Sequence, residues 1–491
     1  MLAIVSNGRQ VMWPSSQPLR PGFSRACARW LLLGVAASTA TAAQTAGAAT
    51  GAISDSIPVG PPYPTLLARP TDTPLAGCSF ARPLCVHAPA GTDAEVMRTA
   101  LADLEQADAA LVHVLGLPRP LSDGPLGGGP GFDLYLVDRV VSADWQPAAG
   151  EAVQLDRWCV TGRDDPRAIG WDRASAFTLL DRMAAPPASG GCVRKNLVAR
   201  GYASAIRLGI DAAESVESRE AAAAYLAGMV APCLTVSAEL IDDFQAHPER
   251  ALTRSGDVAG PAAAMAFHWF VDFALGAGAP GVLSTALLAI GSQKTPASSL
   301  RWFDEPDPFD ALRGALSAKQ PPKTAGDLLL DFAVARLFFG DRDDGTHLDS
   351  GWAGSFGRVR FEWSTPWRSL PRRLAPSRPV DPTGSTYLWI DLTGAPAGAS
   401  LAMHVEWEPP VVFRWAVVRV KRDGSEASRV LVTAQERSTF AERNVEHLEG
   451  LAGLAIVGTN VGDIDLTHPF DPDETPYEPH GYVLTLAAGA P

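Results

Sequence analysis

Near residue 358 the hydrophobic period of this 491-residue chain changes, and that change divides what it can fold into. Upstream, Met97, Leu101, Leu104, Ala107, Leu111 and Leu115 recur at helical spacing, which predicts a helix over 93–115. Short strands are expected at 84–87, 132–137, 152–160 and 174–180, and helices dominate 195–339. Downstream the period is two, with strands at 358–363, 386–392, 401–408, 412–420, 428–434, 451–457 and 482–486. Arg422-Asp-Gly-Ser425 supplies a hairpin turn. An α+β region is therefore followed by an all-β sandwich, with the boundary in the basic, proline-rich stretch 366–382.

Arg20, Arg25 and Arg29 lead into the apolar run 30–37, and Ala40-Thr41-Ala42 sets small residues before a cleavage point. This pattern is a secretory signal peptide over 1–42, and its apolar run is too short to span a bilayer. The bland alternative is an amphipathic arm of the fold. Residues 43–77, rich in Ala, Gly, Pro and Thr, read as a flexible mature terminus. An exported chain would keep Cys78, Cys85, Cys159, Cys192 and Cys233, and in that compartment disulfides are favoured over metal ligation. Cys78 and Cys85 suit a small loop bridge. Among the others Cys159–Cys192 is preferred, leaving Cys233 as a buried thiol, although spacing alone does not decide it.

With 46% hydrophobic residues the chain buries a core, and a net charge of −13 repels a polyanion, which excludes nucleic acid as a partner. The run 262–290 is apolar enough to raise the question of a membrane span. Asp272, His268 and the break at 276–281 predict two buried core helices instead, so no transmembrane span is expected in the mature chain. No Gly-rich phosphate loop or nucleophile elbow is present, and no two of the nine histidines stand three or four residues apart. Asp341-Arg-Asp-Asp-Gly345 has the look of a calcium loop but lacks the later carboxylate, so it reads as a solvated turn, as does the acidic stretch 471–474.

The informative stretch runs from Lys195 to Asp211 (KNLVARGYASAIRLGID) and continues at Arg219-Glu-Ala-Ala-Ala-Ala-Tyr225. Its frame resembles the zinc-binding helix pair of gluzincin-type metallopeptidases: an apolar run, His-Glu-x-x-His, an Asp-containing turn, then Glu-Gly-x-Ala-x-Tyr. The upstream order is similar to secreted bacterial metalloproteases of that type that carry a C-terminal sandwich. The resemblance implies a zincin-like domain over 78–350, a linker and first strand over 351–382, and a β-sandwich domain over 383–491. The motif match is confined to 197–225. It sets Arg200 and Ser204 at the histidine positions, Gly201 at the general base, and Glu220 at the third ligand, with Tyr225 continuing the pattern.

A catalytic zinc needs three lone-pair ligands and a water. A guanidinium has no acceptor, a serine hydroxyl is a poor ligand, and glycine has no carboxylate to deprotonate water. Arg200 is instead expected to pair with Glu220, which would otherwise be an unpaired buried charge. The alternative makes Glu220 an ordinary first-turn acid of a helix capped by Ser215 or Ser218, and two Ala-rich helices could mimic the frame altogether.

Three functions follow. The first is an exported pseudopeptidase without a cofactor, binding a protein or glycan at the cell envelope. The second is an active zinc peptidase recruiting Glu220 with His268 or His247. The third is a purely structural envelope protein. Trp407 and Trp415 are candidate recognition aromatics of the sandwich, or else core.

Overall fold

The strand expected at 132–137 forms as Phe132–Val137 (β3) and is the middle of a five-stranded sheet. All six of its residues are buried, so helices or loops cover both faces. The computed structural model describes residues 69–138, 159–164, 173–182, 191–212, 214, 216–252, 264–276, 308–319, 321–348, 353–434, 438–462 and 479–489. The expected signal peptide, most of 43–77, residues 152–158, the second apolar segment 277–290 and the acidic stretch 471–474 lie outside them.

The sheet runs β1-β2-β3-β5-β4, from Leu75–Cys78 (β1), Leu84–Ala88 (β2), β3, Ala176–Asp181 (β5) and Cys159–Arg163 (β4). β2, β3 and β5 are parallel, and both edges are antiparallel. Between β2 and β3 lies α1, Ala94–Asp108, whose N-cap Asp93 accepts from the Glu95 N–H at 2.8 Å. Its apolar stripe (Ala100, Leu104, Ala107) continues through a π-turn to Leu111, as the sequence period predicted. After β5 come α2 (Cys192–Ile210), α3 (Val216–Val230), α4 (Leu234–Ala246) and α5 (Met265–Gly276). They are followed by α6 (Pro308–Ser317) and α7 (Ala325–Leu337). Among the described residues no helix is long and apolar enough to cross a membrane.

The C-terminal strands build two packed sheets. One runs β11-β10-β13-β8-β6, from Glu426–Val432 (β11), Phe413–Lys421 (β10), Leu451–Asn460 (β13), Ser385–Asp391 (β8) and Trp363–Pro366 (β6). The other runs β12-β9-β14-β7, from Phe440–Val445 (β12), Ser400–Trp407 (β9), Tyr482–Gly489 (β14) and Arg372–Leu374 (β7). Leu388, Val417 and Ile456 face the second sheet, whereas Tyr387, Val418 and Val457 face Leu330, Val334 and Leu337 of α7. The first sheet is thus buried on both faces, which is why 416–418 is an unbroken apolar run.

Several expectations need correction. The terminus is ordered before residue 77: β1 pairs with β2, and Arg69 is already anchored. The stretch 351–382 carries two strands, β6 and β7, each paired into a sandwich sheet. The strand expected at 358–363 begins only at its last residue, because Arg360 N–H donates to Gln245 O at 2.9 Å and its guanidinium bonds Ala246 O and Glu249. Cys192 pairs with Cys233, not with Cys159. Cys192 opens α2 and Cys233 caps α4, leaving their Cα atoms 5.3 Å apart. Cys159 sits on β4, where its thiol meets Leu197 O at 3.5 Å on the sheet side of α2. The Cys78–Cys85 bridge forms as expected. Trp407 and Trp415 are 5% and 1% exposed, so both are core residues.

Candidate functional site

Helix α2 starts after Gly191, whose φ of 74° turns the chain in the left-handed region, and ends where Asp211 is extended. From Asn196 to Ile210 every residue is buried, so α2 packs against neighbours on all sides: α1, the sheet at β4 and β5, and α3. At spacings of four and three, Arg200, Ser204 and Arg207 fall on the side facing α3.

Three of the positions singled out in the sequence converge there. Arg200 Nε lies 3.4 Å from Glu220 Oε2, and Ser204 Oγ donates to Glu220 Oε1 at 2.5 Å. Arg219, which the sequence did not single out, donates through Nε to Ser204 Oγ and to Glu220 Oε1, both at 3.2 Å. Burial pushes the Glu220 carboxyl up, but Arg219, Arg200 and the Ser204 hydroxyl outweigh it and hold the group below the ordinary glutamate range. It is an anion clamped by two guanidinium groups.

The other two positions lie elsewhere. Gly201 meets the sheet: a Cβ built on it would clash with the Thr178 methyl and stand 2.7 Å from Thr178 Oγ1. Thr178 cannot easily yield, because it is fully buried and its hydroxyl is 2.9 Å from that of Thr161. Tyr225 turns toward α5, where its hydroxyl donates to Asp272, and burial with that carboxylate raises its pKa.

A second buried pair lies two turns along α2. Arg207 pairs with Glu214, which also accepts from Ser218 Oγ at 2.8 Å. The only trace of this pair in the sequence is the seven-residue step from Arg200 to Arg207. Burial, then the charge of Arg207, drive His268 down to about 3, so its imidazole is neutral.

The residues do not fit zinc. The single carboxylate already accepts from the Ser204 hydroxyl and from Arg219 and is ion-paired with Arg200, and bringing a divalent cation there would set it against both guanidinium groups. Among the described residues neither His247 nor His268 joins Glu220 in a group of metal-ligand spacing. His247 Nδ1 is instead 3.1 Å from Asp243 O at the end of α4. Cys85, His87 and Asp133 do come together, but the Cys85 sulfur is spent in its disulfide. The segment 341–345 is a turn, with Asp343 and Asp344 accepting from nearby backbone N–H groups.

No family model matches the chain, and no curated protein is similar to it. Among solved structures it is similar to the pre-peptidase C-terminal domain of a collagenase from Bacillus anthracis. That match has 11% identity and a TM-score of 0.17, and covers 26% of this chain and 96% of the other. It is also similar to chitosan-binding module 1 of a chitosanase/glucanase from Paenibacillus sp. IK-5, at 15% identity and a TM-score of 0.15, covering 24% of this chain and 77% of that module. Likenesses this partial carry no argument about what the chain does.

Proposed function

We propose that this chain is an exported gluzincin-like metallopeptidase homologue that has lost zinc and catalysis and acts by binding a protein or glycan at the cell envelope. The observation that carries the reading is the meeting of Arg200, Ser204 and Glu220 at one point between two helices. Those are the positions at which such a peptidase would hold its metal. In their place stands a salt bridge, with Arg219 as a second cation. The position of the general base is a glycine pressed against Thr178, so the helix could not regain a glutamate there without moving off the sheet. Two disulfides support folding in an oxidising compartment, in keeping with the signal-like N-terminus.

Metal analysis of the purified full chain, after incubation with zinc and desalting, tests this. The expected content is far below one equivalent, with no casein hydrolysis and a melting temperature indifferent to chelator. About one equivalent of retained zinc with chelator-sensitive proteolysis overturns it.

A further inference from the structure

The turn between β1 and β2 is a closed loop that the reading above does not use. Its sequence is Cys78-Ser-Phe-Ala-Arg-Pro-Leu-Cys85, and the cysteines at its two ends are joined. Both polar side chains between them are tied back to the domain. Ser79 Oγ donates to Glu105 of α1, and the Arg82 guanidinium donates to Glu105 O and, at 2.9 Å, to Asp108 Oδ2. Ser79 N–H donates across the loop to Leu84 O at 2.9 Å, and Pro83 O accepts from Phe132 N–H of β3 at 2.9 Å. Both flanks are thus fixed before any partner arrives.

Phe80 is the exception. It is the one large apolar side chain at the tip, and it stands fully exposed, with Ala81 and Pro83 exposed beside it. An aromatic ring held in water at the apex of a rigid loop is the kind of anchor that fills a pocket on another protein. Among the described residues neither the N–H nor the carbonyl of Phe80 is hydrogen-bonded, so both are available to a partner that grips the main chain. The next amide is pinned: Ala81 N–H donates to Ser79 Oγ at 3.3 Å, and Ser79 is itself braced by Glu105.

We propose that the Cys78–Cys85 loop is an inhibitory loop for chymotrypsin-type serine proteases, with Phe80 as the residue that enters the protease's apolar pocket. Such a cleft offers one slot for a ring and an oxyanion hole for the carbonyl beside it. The protease serine adds to the Phe80 carbonyl and breaks its bond to Ala81 N, which leaves as an amine carrying the proton from the protease histidine. That amine cannot diffuse away, because Ser79, the Pro83–Phe132 hydrogen bond and the disulfide keep it beside the acyl carbon. It attacks the ester in turn, restores the peptide bond and frees the serine, ahead of water that has no such placement. The loop makes no use of Glu220, and its role is independent of the lost-zinc reading.

Chymotrypsin is the probe, assayed on a phenylalanine nitroanilide peptide with the full chain in molar excess. The parent is expected to slow it by about tenfold or more, and Phe80→Ala to lose that effect. Other cleavable bonds of the chain compete equally in both. Phe80→Arg should move the inhibition from chymotrypsin to trypsin, whose pocket takes a cation. Phe80 is fully exposed, so both variants should melt with the parent. By mass spectrometry the Phe80–Ala81 bond of the parent should stay largely intact through an incubation that cuts it in the chain carrying Cys78→Ser and Cys85→Ser. No slowing by the parent, equal slowing by Phe80→Ala, or cleavage of the parent at that bond as fast as without the bridge overturns the proposal. So does Phe80-dependent sedimentation with phosphatidylcholine vesicles and no effect on chymotrypsin, which would make the loop a membrane tip.

Discussion

At position 201 two residue-level effects oppose each other, and their magnitudes decide the outcome. Replacing a mid-helix glycine with alanine ordinarily stabilises a helix by about 1 kcal/mol. Here the new methyl would strike Thr178, a stiff side chain pinned by Thr161 in a fully buried contact. Overpacking of that kind costs about 1–3 kcal/mol. Gly201→Ala is therefore expected to lower the unfolding free energy in urea, and a gain in stability would show that the sheet yields at that point. The Arg200–Glu220 pair was expected from a resemblance that rests on spacing along the chain, and the structure brings the two groups together. Arg219 was not expected, since adjacent helical residues diverge in direction, and only the reach of its side chain brings Nε back over Glu220. The ion-pair cluster that Arg69 makes with Asp123, Asp133 and Asp164 left no trace in the sequence at all, since its four members come from four separate stretches.

Among the elements, those with their own hydrophobic period were readable and those that borrow stability were not. α1, β3, β9 and β10 each carry an unambiguous apolar pattern. β12 (FAERNV) buries only Ala441 and Val445, and β7 is three residues long with two arginines. Such edge strands exist through the neighbour they pair with. The disulfide was misassigned for a related reason. Which thiol meets Cys192 depends on how the chain between α3 and α4 returns, and sequence separation does not encode that. Closing the loop between residues 41 apart should stabilise by about 2–4 kcal/mol. Replacing Cys192 and Cys233 together with serine should lower stability by that amount in urea unfolding, while Cys159→Ser should leave both bridges intact by thiol titration. An unchanged midpoint for the double variant would show that the crosslink does not constrain the unfolded chain.

For the whole described body, the sandwich and the helical region share a core through α7, and a charged contact reinforces it. His347 stacks on Phe338 with ring centres 3.9 Å apart, and its two nitrogens lie 2.8 Å from Asp344 and 2.6 Å from Glu426 on β11. Burial works against ionisation, yet His347 and Arg429 hold the Glu426 carboxyl down at about 2. A depressed carboxylate contributes stability that is fully present above its unfolded pKa, about 4.3, and is lost as pH falls through the folded value. Between about pH 4 and pH 2 the parent should therefore lose melting temperature more steeply than Glu426→Gln, as followed by circular dichroism. Equal slopes would remove Glu426 from the acid response. The sequence by itself determined which segments carry their own hydrophobic period, the change of that period near 358, and the residue types at 200, 201 and 204. These are properties of residue type and spacing. Tertiary structure alone decided which thiols join, that α7 covers the outer face of a sandwich sheet, and that three aspartates enclose Arg69. Each of these depends on groups far apart in the chain arriving within a few ångströms, which no local pattern of residues specifies.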